Sequence, residues 1–178
     1  MYVSDPCRLV LCLGNMGGVI NMRIIKTLLV AGMALMLTLA SFGNITMSDG
    51  GFGAVQGALG MQTTYQHPNG MWRAIESPVL IWMAFGLIVL CEISAAVLCW
   101  IGAFRMWSAR SSSEQFHAAK ASAHLGLGVA ACLYFIGFLV IAQEYFLMWQ
   151  STTLNVLPDA FRIFASAVLI ALWVNTDD

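Results

Sequence analysis

Apolar positions along the chain gather into three charge-poor stretches and a fourth, shorter one. Residues 27–42, 79–104 and 121–143 approach or exceed the ~20 apolar residues that cross a bilayer as a helix, and 161–174 does so once its flank from Leu157 is added. The pattern predicts an all-α fold: a four-transmembrane-helix bundle, with helices at about 24–43, 78–105, 113–147 and 157–175 and a long first outer loop. Residues 22–178 read as one membrane domain behind an extension, residues 1–21, which is too short to span and is broken by its glycines. Met22 opens MRIIK, an ordinary basic n-region, and reads as the start of translation. An intact mass that includes residues before Met22 would refute this.

The polar positions set direction and ends. Arg23 and Lys26 precede the first helix, and Arg105, Arg110 and Lys120 bracket the second connection, so this end is expected in the cytoplasm with both termini. The loop 43–77 carries only Arg73, and the third connection has Arg162 at its edge. Ser77-Pro78 offers a capping hydroxyl and a helix-opening proline, and Ser111 or Ser112 begins a capping box for the third helix. Trp72, Tyr145 and Trp149 suit one interfacial belt, and Trp107 the other.

Composition agrees with the pattern: 60% of the 178 residues are hydrophobic and 10% are charged, against roughly 25% charged in soluble domains. A net charge of −1 offers no basic field for nucleic acid. The five cysteines form no paired framework. His117 and His124 share one helix instead of facing each other across two, and the eleven methionines are dispersed, so no haem, metal or other cofactor is expected.

The exception to the apolar pattern is Glu92. Ala95, Ala96, Cys99 and Ala103 follow it at helical spacing, which turns the acid toward protein. On the third helix Ala118, Ser122, Gly126 and Ala130 recur every four residues toward Tyr134, a second seam of small residues. Glu92 lies about 20 Å along its helix from Arg105, near mid-membrane, a level that takes in Thr38, Tyr134 and Ser166 and holds no Lys or Arg. Desolvation there favours the neutral acid, hydrogen-bonded to Thr38, Tyr134, Ser166 or a carbonyl. A proton relay would need further titratable groups at successive depths, which the second helix lacks. A second polar group gathers at the outer ends: Arg73, Glu76, Glu144, Trp149, Gln150 and Arg162, with Trp72 and Asp159. Its expected role is a salt-bridged latch between loops, and its other reading is a site for an acidic headgroup. The glycines of SDGGFGAVQGALG lack a phosphate-loop ending and read as connection, although Phe52, Val55 and Leu59 would give a short helix one apolar side.

Through KTLLVAGMALMLTLASFGN, MQTTY, MWRAIESP, the Glu92 helix, and EYFLMWQS with AFR, the chain resembles a bacterial family of predicted small integral membrane proteins, a domain family of unknown function. The resemblance covers essentially 22–174 and implies a four-helix inner-membrane protein, with no established catalytic residue. The expectation is a non-enzymatic accessory or assembly subunit in contact with the lipid bilayer and with other membrane subunits or itself. The alternative is a small proton-coupled transporter or channel using Glu92.

Overall fold

The computed structural model describes residues 6–177, with side chains from residue 22 onward. Helix α1 is Pro6–Thr46, α2 is Ser48–Leu59, α3 is Pro78–Ala109, α4 is Ser113–Cys132 and α5 is Leu157–Asn175. Residues 6–21, expected to break at their glycines, run helical as the first part of α1, because a helix tolerates glycines at a modest cost; their side chains lie outside the described residues, as do residues 1–5. Helix α4 runs on as a π-helix, Leu133–Tyr145, and single 3₁₀ turns occupy Met71–Arg73 and Met148–Gln150. Four helical segments are long and apolar enough to cross a membrane: Met22–Thr46, Pro78–Ala109, Ser113–Tyr145 and Leu157–Asn175.

Each span buries one stripe. On α1 it is Lys26, Val30, Ala34, Leu37 and Ser41, stepping by three or four as a 3.6-residue helix requires, with Met33 beside them. Helix α3 packs against α1 and α4, and α5 closes on α4 and its π-helical continuation, with a smaller contact to α1. Because lipid tails are as apolar as the side chains, close approach must supply the attraction. Two glycines permit it between α3 and α4. A Cβ on Gly102 would stand 2.5 Å from the backbone nitrogen of Ala123, and one on Gly126 would stand 2.7 Å from that of Cys99.

The four-residue repeat on α4 is only half right. Gly126, Ala130 and Tyr134 are buried, but Ala118 is exposed and Ser122 half-exposed. A four-residue step overshoots a 3.6-residue turn by about 40°, so the repeat winds out of the seam. The buried row at that end is Phe116, Lys120 and Ala123.

Helix α3, 32 residues long, measures about 48 Å against a hydrocarbon core of ~30 Å, so it has length to spare beyond the bilayer core. Helix α2 lies on its surplus length, with the Phe52 and Trp82 rings stacked at 4.4 Å. The glycine-rich stretch read as connection is therefore largely helix. Gly51 comes so near Phe85 that an added Cβ would meet its ring at 2.6 Å, and Gly57 does the same against Leu154 at 2.4 Å. Pro78 opens α3 and Ser112 opens α4 as the sequence suggests, but neither Ser77 nor Ser112 makes a side-chain capping bond. The first carbonyl acceptances, Ile81 N–H to Ser77 O and Phe116 N–H to Ser112 O, form without them.

Candidate functional site

Glu92 is 3% exposed on the buried stripe of α3, facing protein as its neighbours imply. One carboxyl oxygen, Oε1, accepts the Tyr134 hydroxyl at 2.9 Å, and the other, Oε2, accepts the Asn44 amide at 2.9 Å. The acid thus ties α1, α3 and the start of the π-helix together. Tyr134 is held in turn by the Phe138 ring, stacked at 5.4 Å.

Of the three partners predicted for Glu92, Tyr134 alone bonds to it. Thr38 is exposed; its hydroxyl donates to Ala34 O one turn back and accepts the Trp100 indole N–H at 3.1 Å. Ser166 is also exposed, one residue off the buried Ala167. The mid-membrane level was measured from Arg105, but that side chain reaches across to Ser122, whereas the α1 cation Arg23 meets α3 at the Arg110 carbonyl. From Arg110, Glu92 lies about 27 Å along the helix, and its partners stand toward the loop-bearing ends of their helices, Asn44 shortly before Thr46 and Tyr134 within the π-helix that ends at Tyr145. Asn44, the partner that the sequence reading missed, follows Ser41 by three residues on the buried stripe of α1, and that spacing was its signal.

The outer polar group is a contact between loops, but an ionic latch it is not. Among the described residues, neither Arg73 nor Arg162 pairs with Glu76 or Glu144. Arg162 pairs with Asp159 in its own helix, and Glu144 accepts the neighbouring Gln143 amide. The joining is done by neutral groups. Tyr65 N–H donates to Gln150 Oε1 at 3.0 Å, Thr63 to Ser151 Oγ at 2.7 Å, and the Tyr65–Trp149 and Trp72–Tyr145 rings meet edge to face. Exposed charges close in sequence pair locally because a longer reach orders two flexible side chains for little gain in water.

At the opposite end the cations taken as topological markers turn out to be buried: Arg23 is 5% exposed, Lys26 0% and Lys120 3%. Lys26 Nζ donates to Thr176 O at 2.8 Å and Asp177 O at 3.2 Å, and Lys120 Nζ to Thr176 O at 3.2 Å. Both serve the carbonyl end of α5, where the helix dipole is negative and the last carbonyls lack partners in their own helix. Phe116 lies between, with Lys120 Nζ 5.4 Å and Arg23 Cζ 5.7 Å from its ring centre. Arg23 Nη1 donates to Arg110 O, while its buried Nε has no partner among the described residues. Among the described residues no group of three His, Cys, Asp or Glu side chains converges to hold a metal ion.

Four apolar spans, knit by close glycine contacts and by one buried polar tie, define a multi-pass integral membrane protein. The chain belongs to the family described as Predicted small integral membrane protein (DUF2165), whose model matches residues 22–177. No curated protein and no solved structure matches it.

Proposed function

We propose that the protein is a non-enzymatic accessory or assembly subunit of a larger complex in a bacterial inner membrane, with the Lys26–Lys120 end and both termini in the cytoplasm. The single observation that carries the reading is a difference between two outward faces. Helix α3 shows the bilayer large side chains, among them Val79, Met83, Leu87, Leu90 and Phe104. The outward face of α4, before its π-helical continuation turns out Phe135, Ile136 and Val140, carries Ala118, Ala121, Leu125, Gly128 and Cys132, all exposed, and among the described residues a Cβ on Gly128, like one on Gly86 of α3, would meet nothing within 4 Å. Small residues gain little from lipid but let a second helix approach closely, which suits a surface made for a neighbouring subunit.

The test is photo-crosslinking in native membranes from Ala121 on α4 and Leu87 on α3, with native mass spectrometry of gently extracted protein. Capture of a defined membrane protein from Ala121, and of lipid from Leu87, is expected. Lipid alone from both positions would sink the reading. The rival, a proton-coupled transporter centred on Glu92, requires flux in proteoliposomes that Glu92→Gln abolishes. The engagement of both carboxyl oxygens by neutral donors favours a structural acid instead.

A further inference from the structure

The loop-bearing end contains a cavity of about 290 Å³ that neither the Glu92 tie nor the α4 face uses. Its walls come from α2, α3, the π-helix and the return before α5, with Val55, Ala84, Ile88, Gly137, Ile141 and Leu154 among them, and Thr153 brings the one polar side chain. Two of these walls are membrane spans, and the wall residues Leu87 and Ile141 are 60% and 44% exposed, so the groove opens sideways at membrane depth. A Cβ on Gly137 would touch only Leu133, at 3.7 Å, which leaves the space beside it free.

A cation, Arg73, stands outside the lining of this groove but is joined to its wall through two neighbouring contacts. Arg73 lies two residues before Ile75, whose N–H bonds to the carbonyl of Leu59 in the groove wall at 2.9 Å. Arg73 Cζ is 5.7 Å from the Tyr145 ring, which meets the ring of Phe146, another wall residue, at 5.0 Å. Its Nε donates to Gly70 O, and among the described residues no carboxylate is within ion-pair distance of it. Beside it Trp72, 75% exposed, stands on Tyr145 where an interfacial belt belongs. A guanidinium that no carboxylate claims, above an apolar slot open to the bilayer, is complementary to a molecule with an anionic head and a hydrocarbon tail. Arginine also matches phosphate geometry with paired N–H groups.

We infer that this groove is a binding site for an anionic glycerophospholipid, with one acyl chain between α2, α3 and the π-helix and the phosphodiester on Arg73. The inference goes beyond the subunit role and does not depend on it. The test is native mass spectrometry of the full chain in mild detergent, titrated with phosphatidylglycerol and, separately, phosphatidylcholine of the same chains. A one-lipid adduct preferring phosphatidylglycerol is expected. Gly137→Leu, which fills the slot, should weaken both lipids about tenfold. Arg73→Gln, a change in a loop that leaves the helices intact, should erase the headgroup preference while keeping the chain-dependent binding. Glycerol phosphate without chains should not compete. No adduct, equal binding by Gly137→Leu with its helicity and melting unchanged, or an undiminished preference in Arg73→Gln would each overturn the site. So would finding the groove filled by a partner's peptide or by a second copy.

Discussion

The two ends of the molecule are closed by opposite chemistries. At one end buried cations reach the backbone carbonyls of Thr176 and Asp177, just past the end of α5, so full charges meet backbone dipoles out of water. At the other, a carboxyl group is tied by an amide and a phenol, and the loops meet through amides, hydroxyls and ring edges. The reason lies in what each end must satisfy. Helix α5 stops with unpaired carbonyls that want a donor, and an ammonium has three donors to give. Glu92 sits beside the last turn of α1, whose negative dipole end disfavours a full negative charge, and takes its two bonds from neutral donors. Charge should therefore matter at the first end and hydrogen-bond capacity at the second.

The largest effect that could break this contrast comes from replacing both lysines. Lys26→Met with Lys120→Met keeps the volume but deprives the Thr176 carbonyl of its donors. Hydrogen bonds from charged donors are worth about 1.5–3 kcal/mol each, so a loss on the order of 3 kcal/mol is expected as a lower unfolding midpoint in detergent. An unchanged midpoint would mean that these cations are topological markers only. Next comes Glu92. Glu92→Leu strands the Asn44 amide and the Tyr134 hydroxyl and should cost about 2 kcal/mol, whereas Glu92→Gln can still accept the Asn44 amide and, with the hydroxyl turned, donate to the Tyr134 oxygen, and should cost under about 1 kcal/mol. If Gln proved as damaging as Leu in the same melts, the acid's charge would matter and the contrast would collapse. The smallest effect belongs to Gln150→Ala, which removes one half-exposed bond to Tyr65 N–H. It should cost less than about 1 kcal/mol yet speed amide hydrogen exchange in the 61–66 segment, and unchanged exchange there would show that the loops are held by their rings alone.

Much of this was legible in the chain before any coordinates. Apolar length alone placed the four spans, because in lipid a backbone can satisfy itself locally only as a helix. The helical spacing after Glu92 gave its facing correctly, and the count of depth from the flanking charges named Tyr134. Depth was harder. Arginine stems are long enough that Arg105 and Arg110 serve different levels of the membrane, and a ruler started from the wrong one moved Thr38 and Ser166 into the acid's reach. Asn44 escaped because it stands two residues before the end of α1, in what looked like the beginning of a loop. The burial of Lys26 and Lys120 was hidden for a related reason: lysines flanking a span normally turn to water, and what holds these inside is α5, more than fifty residues further along. The expected ionic latch failed on a simpler point, since Asp159 is already one turn from Arg162.

The position of Asn44 also governs when the acid becomes safe. The chain is made from its N-terminus, so Asn44, 48 positions earlier, has already emerged when Glu92 does, while Tyr134 follows 42 positions later. During insertion the second span therefore enters the bilayer beside a helix that already offers its carboxyl group a donor. The third span then completes a bond already half made, and at no stage after α1 is in place does the acid depend on lipid for a partner.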